Sequence, residues 1–92
     1  MPLRKKSILI VDDEESIRLA TSQYLKFAGY RPLTAKNADE AMEIARREPV
    51  RLVLADVMMP GKSGYDLLRE LRQDPATKHI PVVIVTALRG AA

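Results

Sequence analysis

The chain has 92 residues, 15 lysines and arginines against 12 aspartates and glutamates, a net charge of +3, and no cysteine. This length fits a single domain over residues 1–92, and the absence of cysteine excludes a disulfide framework or a thiolate metal site. The apolar run near the start, Ile8 to Val11, is too short for a signal-peptide core or a membrane span, so a cytoplasmic location with no membrane partner is expected.

Ser7-Ile8-Leu9-Ile10-Val11 is a short apolar run rich in β-branched residues, which predicts a strand buried on both faces. Glu14 and Glu15 suit the first turn of a helix. Ile17, Ala20, Tyr24 and Ala28 repeat behind them at helical spacing, and Gly29 is placed to end that helix in a left-handed conformation. Arg31 to Ala35 predicts a second strand, with Pro32 favouring a sheet edge. Asn37 and Glu40 have capping-box spacing ahead of the apolar stripe Ala38, Ala41, Met42 and Ala45, which stops before Pro49.

Arg51-Leu52-Val53-Leu54-Ala55 predicts a third strand, and Met58-Met59-Pro60-Gly61 a loop. Ser63 can cap a third helix whose inward face uses Leu67, Leu68 and Leu71, and Asp74-Pro75 ends it. Pro81 opens a fourth strand, Val82 to Thr86. Residues Ala87 to Ala92 show no clear element. The order βαβαβαβ with double-buried strands predicts an α/β fold, a parallel sheet covered on both faces.

The basic clusters Arg4-Lys5-Lys6 and Arg46-Arg47 are a possible nucleic-acid footprint. They carry no interleaved aromatics, however, and read as solvated surface, so no direct nucleic-acid partner is expected.

Three aspartates carry the chemistry. Asp12 and Asp13 follow the first strand, and Asp56 follows the third. In a parallel sheet all three lie at the carboxyl edge, where open α/β sheets bind ligands. If the two strands are neighbours, the acidic ends lie about 5 Å apart before side-chain reach is counted. Carboxylates packed this closely repel, and a hard divalent cation such as Mg²⁺, which takes oxygen ligands, removes the repulsion. An Asp after a strand also serves as a helix cap or turn former. Gly61 and Ser63 already supply turn and cap chemistry after Asp56, which weighs against that reading there. Thr86 closes the fourth strand at the same edge, where its hydroxyl can donate to a phosphoryl oxygen. A Thr ending a strand is also plain β-propensity.

Taken together, three segments resemble bacterial response-regulator receiver domains. They are Ile8-Leu9-Ile10-Val11-Asp12-Asp13-Glu14, Val53 to Gly64 with its Asp56-Val57-Met58-Met59-Pro60-Gly61, and Ile80-Pro81-Val82-Val83-Ile84-Val85-Thr86-Ala87. The resemblance implies a flavodoxin-like three-layer fold with strand order 2-1-3-4. It implies Asp56 as phosphoacceptor, Asp12, Asp13, Asp56 and the Met58 backbone carbonyl as Mg²⁺ ligands, and Thr86 as a switch hydroxyl. A sensor histidine kinase or phosphotransfer protein is the implied partner. Lys62 stands where many relatives carry a hydrophobic residue.

Against the family pattern the chain reads as C-terminally truncated: the fourth helix, fifth strand and fifth helix are not among its 92 residues. The lysine and the aromatic switch residue of that region go with them. An open, apolar fourth-strand edge recruits another chain, so a homo-oligomer is expected, by edge pairing or by exchange of elements. Three functions compete. The first is a phosphoacceptor signalling module. The second is a phosphorylation-deficient interaction or dimerisation module of the same fold. The third is a metal-dependent phosphotransfer enzyme, which needs further acid/base groups where this chain offers only His79. The expectation is a signalling module and not an enzyme.

Overall fold

A computed structural model describes residues 6–85. The switch hydroxyl expected at Thr86 and the tail to residue 92 lie outside the described residues. Within them the chain order is β1 (Ser7–Val11), α1 (Glu15–Phe27), β2 (Arg31–Ala35), α2 (Ala38–Arg47), β3 (Val50–Asp56), α3 (Gly64–Gln73) and β4 (Val82–Val85). The four strands form one parallel sheet in the order β2-β1-β3-β4. This is the flavodoxin-like arrangement that the resemblance implied.

Each boundary has a local cause. Gly29, at φ 96°, ends α1. The Tyr30 N–H bonds back to the Leu25 carbonyl at 2.9 Å and the Gly29 N–H to that of Lys26 at 3.1 Å, the paired closure that satisfies the last orphan carbonyls. Asn37 caps α2, its side chain accepting from the Glu40 N–H at 2.8 Å. The return bond goes one residue further back than a capping box requires, to the Lys36 N–H at 3.2 Å. Ser63 and Asp66 complete a full capping box on α3.

The core lies between the sheet and the α2/α3 layer. Leu9, Val53 and Ala55 from the sheet meet Ala41, Met42 and Leu67 from the helices, all buried. The expected α2 stripe is wholly buried. In α3, Leu67 and Leu71 are buried and Leu68 only partly.

The α1 layer departs from expectation. Ala20 and Ala28 are exposed, Tyr24 is 76% exposed, and no residue of α1 is buried. The partly covered face is the line Ile17, Thr21 and Leu25 with Arg18 and Ser22 beside it. A helix turns about 100° per residue, so Ala20 and Tyr24, each one position before that line, look away from the sheet. The polar Thr21 in the covered line hid it from a search for apolar repeats.

Ion pairs tie the helical layer together. Arg46 on α2 meets Asp74 after α3 at 2.7 Å, and Lys62 bridges Asp39 at 2.7 Å and Glu70 at 3.0 Å. The bonds to Asp39 and Glu70 raise the Lys62 ammonium above its ordinary value. Hydrogen bonds from Ser63 hold Asp66 below the usual carboxylate range, and the Arg46 guanidinium does the same for Asp74. A depressed folded-state value contributes stability that is complete above the ordinary value of 3.8 and is lost as pH falls through the depressed one. Acid titration of the unfolding free energy should therefore decline below about pH 4, and less steeply in Asp66→Asn and Asp74→Asn. Identical acid limbs in wild type and both variants would contradict this assignment.

Candidate functional site

The register sets the site. Val11 pairs with Ala35 on one side and Ala55 on the other, so the next residues along, Asp12 and Asp56, leave the sheet side by side. Asp12 extends the pairing with β2 by one further bond, from its N–H to the Ala35 carbonyl at 3.1 Å. Asp56 is the last residue of β3 and pairs with Val85.

Both aspartates form the same local turn. The Glu14 N–H donates to Asp12 Oδ1 at 2.9 Å, and the Met58 N–H donates to Asp56 Oδ1 at 3.2 Å. Each carboxylate thus bonds the backbone two residues on, the Asx-turn geometry. The turn-forming role is real for both, and it serves to aim them. Asp13 caps nothing: the residue at the α1 cap position is Glu14, without a side-chain cap bond. The Arg18 guanidinium, one turn into α1, donates to the Asp12 carbonyl at 2.7 Å and pins the bend between strand and helix.

The result is a cluster in which Asp12, Asp13 and Asp56 each place a carboxylate oxygen within 4.8 Å of the others. Asp12 and Asp56 are buried, at 7% and 4% exposure, while Asp13 is exposed. The three aspartates singled out from the sequence are therefore together. Met58 lies beside them through its backbone, and the residue as a whole is 72% exposed. Thr86 lies outside the described residues.

Two contributors carry weaker sequence signals. Gly64 opens α3 against the backbone carbonyl of Asp56, so close that a Cβ there would overlap it, and its N–H bonds the Val57 carbonyl at 3.2 Å. Its signal is a glycine at the first helical position, a poor helix former placed directly after a good cap. The other is Arg18, a cation one turn after an acidic strand end. Beneath the cluster, on the α1 side, lies a cavity of about 160 Å³ lined by Ile10, Ile17, Thr21, Leu54 and Val85 along with Asp12 and Asp56.

Comparison with known proteins agrees with this geometry. The model of the response regulator receiver domain matches residues 8–91. A probable transcriptional regulator, ycf27 of Porphyra purpurea, is 43% identical over 88 residues, 96% of this chain and 35% of that protein. The N-terminal domain of a response regulator receiver protein from Methanoculleus marisnigri superposes with a TM-score of 0.85 at 41% identity, covering 88% of this chain and 66% of that one. The response regulator TrrA of Thermotoga maritima, solved in complex with Mg²⁺ and BeF, gives 0.83 at 36% identity, covering 91% and 71%. The chain thus spans about a third of the curated relative's length. It belongs to the response regulator receiver domain family, the signalling modules of two-component systems. Among the described residues no helix is long and apolar enough to cross a membrane.

Proposed function

We propose that Asp56 accepts a phosphoryl group in a Mg²⁺-dependent reaction, and that the domain carries a signal in this form. The observation that carries the reading is the convergence of three carboxylates within 4.8 Å, two of them buried. Such a cluster suits a hard cation. Its donors are all oxygens, its charges repel in the absence of a counter-ion, and Asp13 stands at the solvent side where waters can complete a coordination shell.

Asp13 would ligate directly, Asp12 directly or through water, Asp56 through one oxygen, and Met58 through its backbone carbonyl. When bound, the ion supplies charge neutralisation for the cluster and for the phosphoryl group that approaches it. The chain's own part is positioning. The Asx turn fixes one oxygen of Asp56 against the Met58 N–H and leaves the carboxylate directed to the edge of the sheet. A carboxylate oxygen forms the new P–O bond, and the P–N bond to the donor imidazole breaks. The imidazole nitrogen keeps the electron pair and takes up a proton. The donor is a phosphohistidine on a sensor kinase or phosphotransfer protein, or a small acyl phosphate whose P–O bond breaks instead. Thr86, directly after β4, would donate its hydroxyl to a phosphoryl oxygen. The domain so read is a phosphoacceptor and not a turnover enzyme.

The test is the intact mass of the 92-residue chain after incubation with acetyl phosphate and MgCl₂. One added phosphoryl group is expected, absent with EDTA and absent in Asp56→Asn. No addition to the wild type, or equal addition to the variant, rejects the reading.

A second reading, an interaction or dimerisation module, is supported by one observation. Among the described residues β4 has β3 as its only neighbour, and Val83 and Val85 are 46% and 48% exposed. Unpaired strand edges with apolar side chains recruit further strands. We propose self-association of this chain through that edge or by exchange of elements. A compact monomer by sedimentation at micromolar concentration rejects it.

A further inference from the structure

The carboxylate site occupies one edge of the sheet, and the opposite edge is built differently. There the end of α2, the start of β3 and the connection from α3 to β4 enclose a groove of about 690 Å³. Its floor is apolar: Ala45, Val50 and Ile80 are buried there. Its rim carries Arg46, Arg47, Arg51 and His79, all exposed. Glu48 is the carboxylate among the groove's lining residues, and it is engaged by Arg31 and Arg47 at 3.6 Å each.

Arg51 is presented by a specific device. β1 and β3 are in register from Ile8↔Leu52 upward, but Ser7 pairs with Val50, so Arg51 is the extra residue of a bulge. A bulge leaves its residue out of the ladder and re-aims side chains. Here it turns Val50 into the core with Val53 and sets Arg51 in the groove. Arg46 and Arg47 have carboxylate partners, whereas Arg51 has none among the described residues.

The groove is also firmly held. The Thr77 hydroxyl, fully buried, donates to the Leu71 carbonyl at 2.9 Å, and the Arg72 guanidinium donates to the carbonyls of Lys78 and Ile80 at 3.1 and 2.8 Å. The wall formed by the α3–β4 connection is therefore set before any ligand arrives.

We propose that this groove is a second binding site, for a short acidic peptide segment that seats one apolar side chain against the exposed Pro49, Ala76 and Pro81 and meets Arg51 with a carboxylate. An apolar floor inside a cationic rim fits one chain with an apolar anchor between acids. Duplex nucleic acid prefers an extended basic stripe, and single strands prefer several aromatic platforms, whereas no Phe, Tyr or Trp lines the groove and His79 is its one aromatic ring among the described residues. The proposal makes no use of the carboxylate cluster and stands or falls apart from phosphorylation.

Fluorescence anisotropy with a labelled peptide of glutamates flanking a single leucine tests it on the 92-residue chain. Binding is expected in low salt, weakening as salt screens the exposed charges. Arg51→Glu should weaken it about tenfold or more, from reversal of one charge opposite a carboxylate, whereas Arg51→Lys should retain it. Replacing the leucine with serine in the peptide should weaken it comparably. Lys36→Glu, the same charge change at the opposite edge, should leave it unchanged, and urea melts should show all three variants folded. The proposal is overturned by absence of binding, by equal binding in Arg51→Glu, by equal loss in Lys36→Glu, or by duplex DNA binding more tightly than the peptide.

Discussion

In magnesium-free solution Asp56→Asn should melt higher than the wild type, and added Mg²⁺ should raise the wild type and leave the variant nearly where it was. Both halves follow from the same packing. The oxygens of Asp12 and Asp56 come within 4.8 Å with both side chains buried. Two unit charges at that separation repel by roughly 3.5 kcal/mol at an effective dielectric of about 20. Water reaching the cluster past the exposed Asp13 reduces this to about 1–2 kcal/mol. For a domain of this size that corresponds to a melting shift of about 4–16 °C. The amide keeps the shape and still accepts from the Met58 N–H, so removal of charge is the main change. With Mg²⁺ at about one hundred times its dissociation constant, the wild type should gain roughly 2.7 kcal/mol by mass action. The variant lacks one anionic ligand and should gain less than about a third of that. Thermal melts with EDTA and with MgCl₂ give all four numbers. A wild type indifferent to Mg²⁺, or a variant that melts lower in EDTA, would count against the three-carboxylate site.

Gly64→Ala should destabilise the fold by about 3 kcal/mol, the upper part of the range for overpacking a well-packed site. Two effects of opposite sign compete here. Alanine is the better helix former by up to about 1 kcal/mol. Its methyl group, however, would overlap the carbonyl of Asp56, and the obstacle is strand backbone that cannot rotate aside. Steric cost therefore wins. Because the displaced group is the backbone of Asp56, the same substitution should also lower phosphoryl acceptance. Urea titration should show a lower midpoint with an unchanged slope. A midpoint equal to or above that of wild type would mean that α3 can slide away from β3 at no cost, and that Gly64 has no part in shaping the site.

These two residues mark how far the amino-acid sequence could be read. β1 was legible because a strand buried on both faces must be apolar throughout, and β3 because Leu52 to Ala55 is an unbroken apolar run; the aspartates that follow these runs stand out against that background. α2 was legible for the opposite reason: Ala38, Ala41, Met42 and Ala45 make a narrow stripe on an otherwise charged helix. Strand order rested on resemblance, since β-branched runs do not say which neighbour they choose.

The rest depended on details that a pattern search averages away. α1 offers apolar residues on more than one stripe, and the stripe touching the sheet contains Thr21, so Ala20 and Tyr24 drew the wrong face. The bulge at Arg51 breaks the alternation of β3 by one residue, which inverts the side on which Val50 is expected. Gly64 could be seen as a glycine after a cap, but not as the point where a helix meets the strand that ends in Asp56.

The light anchoring of α1 has a consequence for the acidic turn. Asp12 continues a strand whose residues are all buried, whereas Asp13 leads into a helix with none. Local opening follows the parts with least buried apolar contact. The turn is therefore clamped by buried contact at the strand end and held at the helix end by the Arg18 bond to the Asp12 carbonyl, with little buried apolar contact behind it, so a change of occupant at the cluster would be absorbed mainly by Asp13, while Asp12 and Asp56 hold a fixed reference frame.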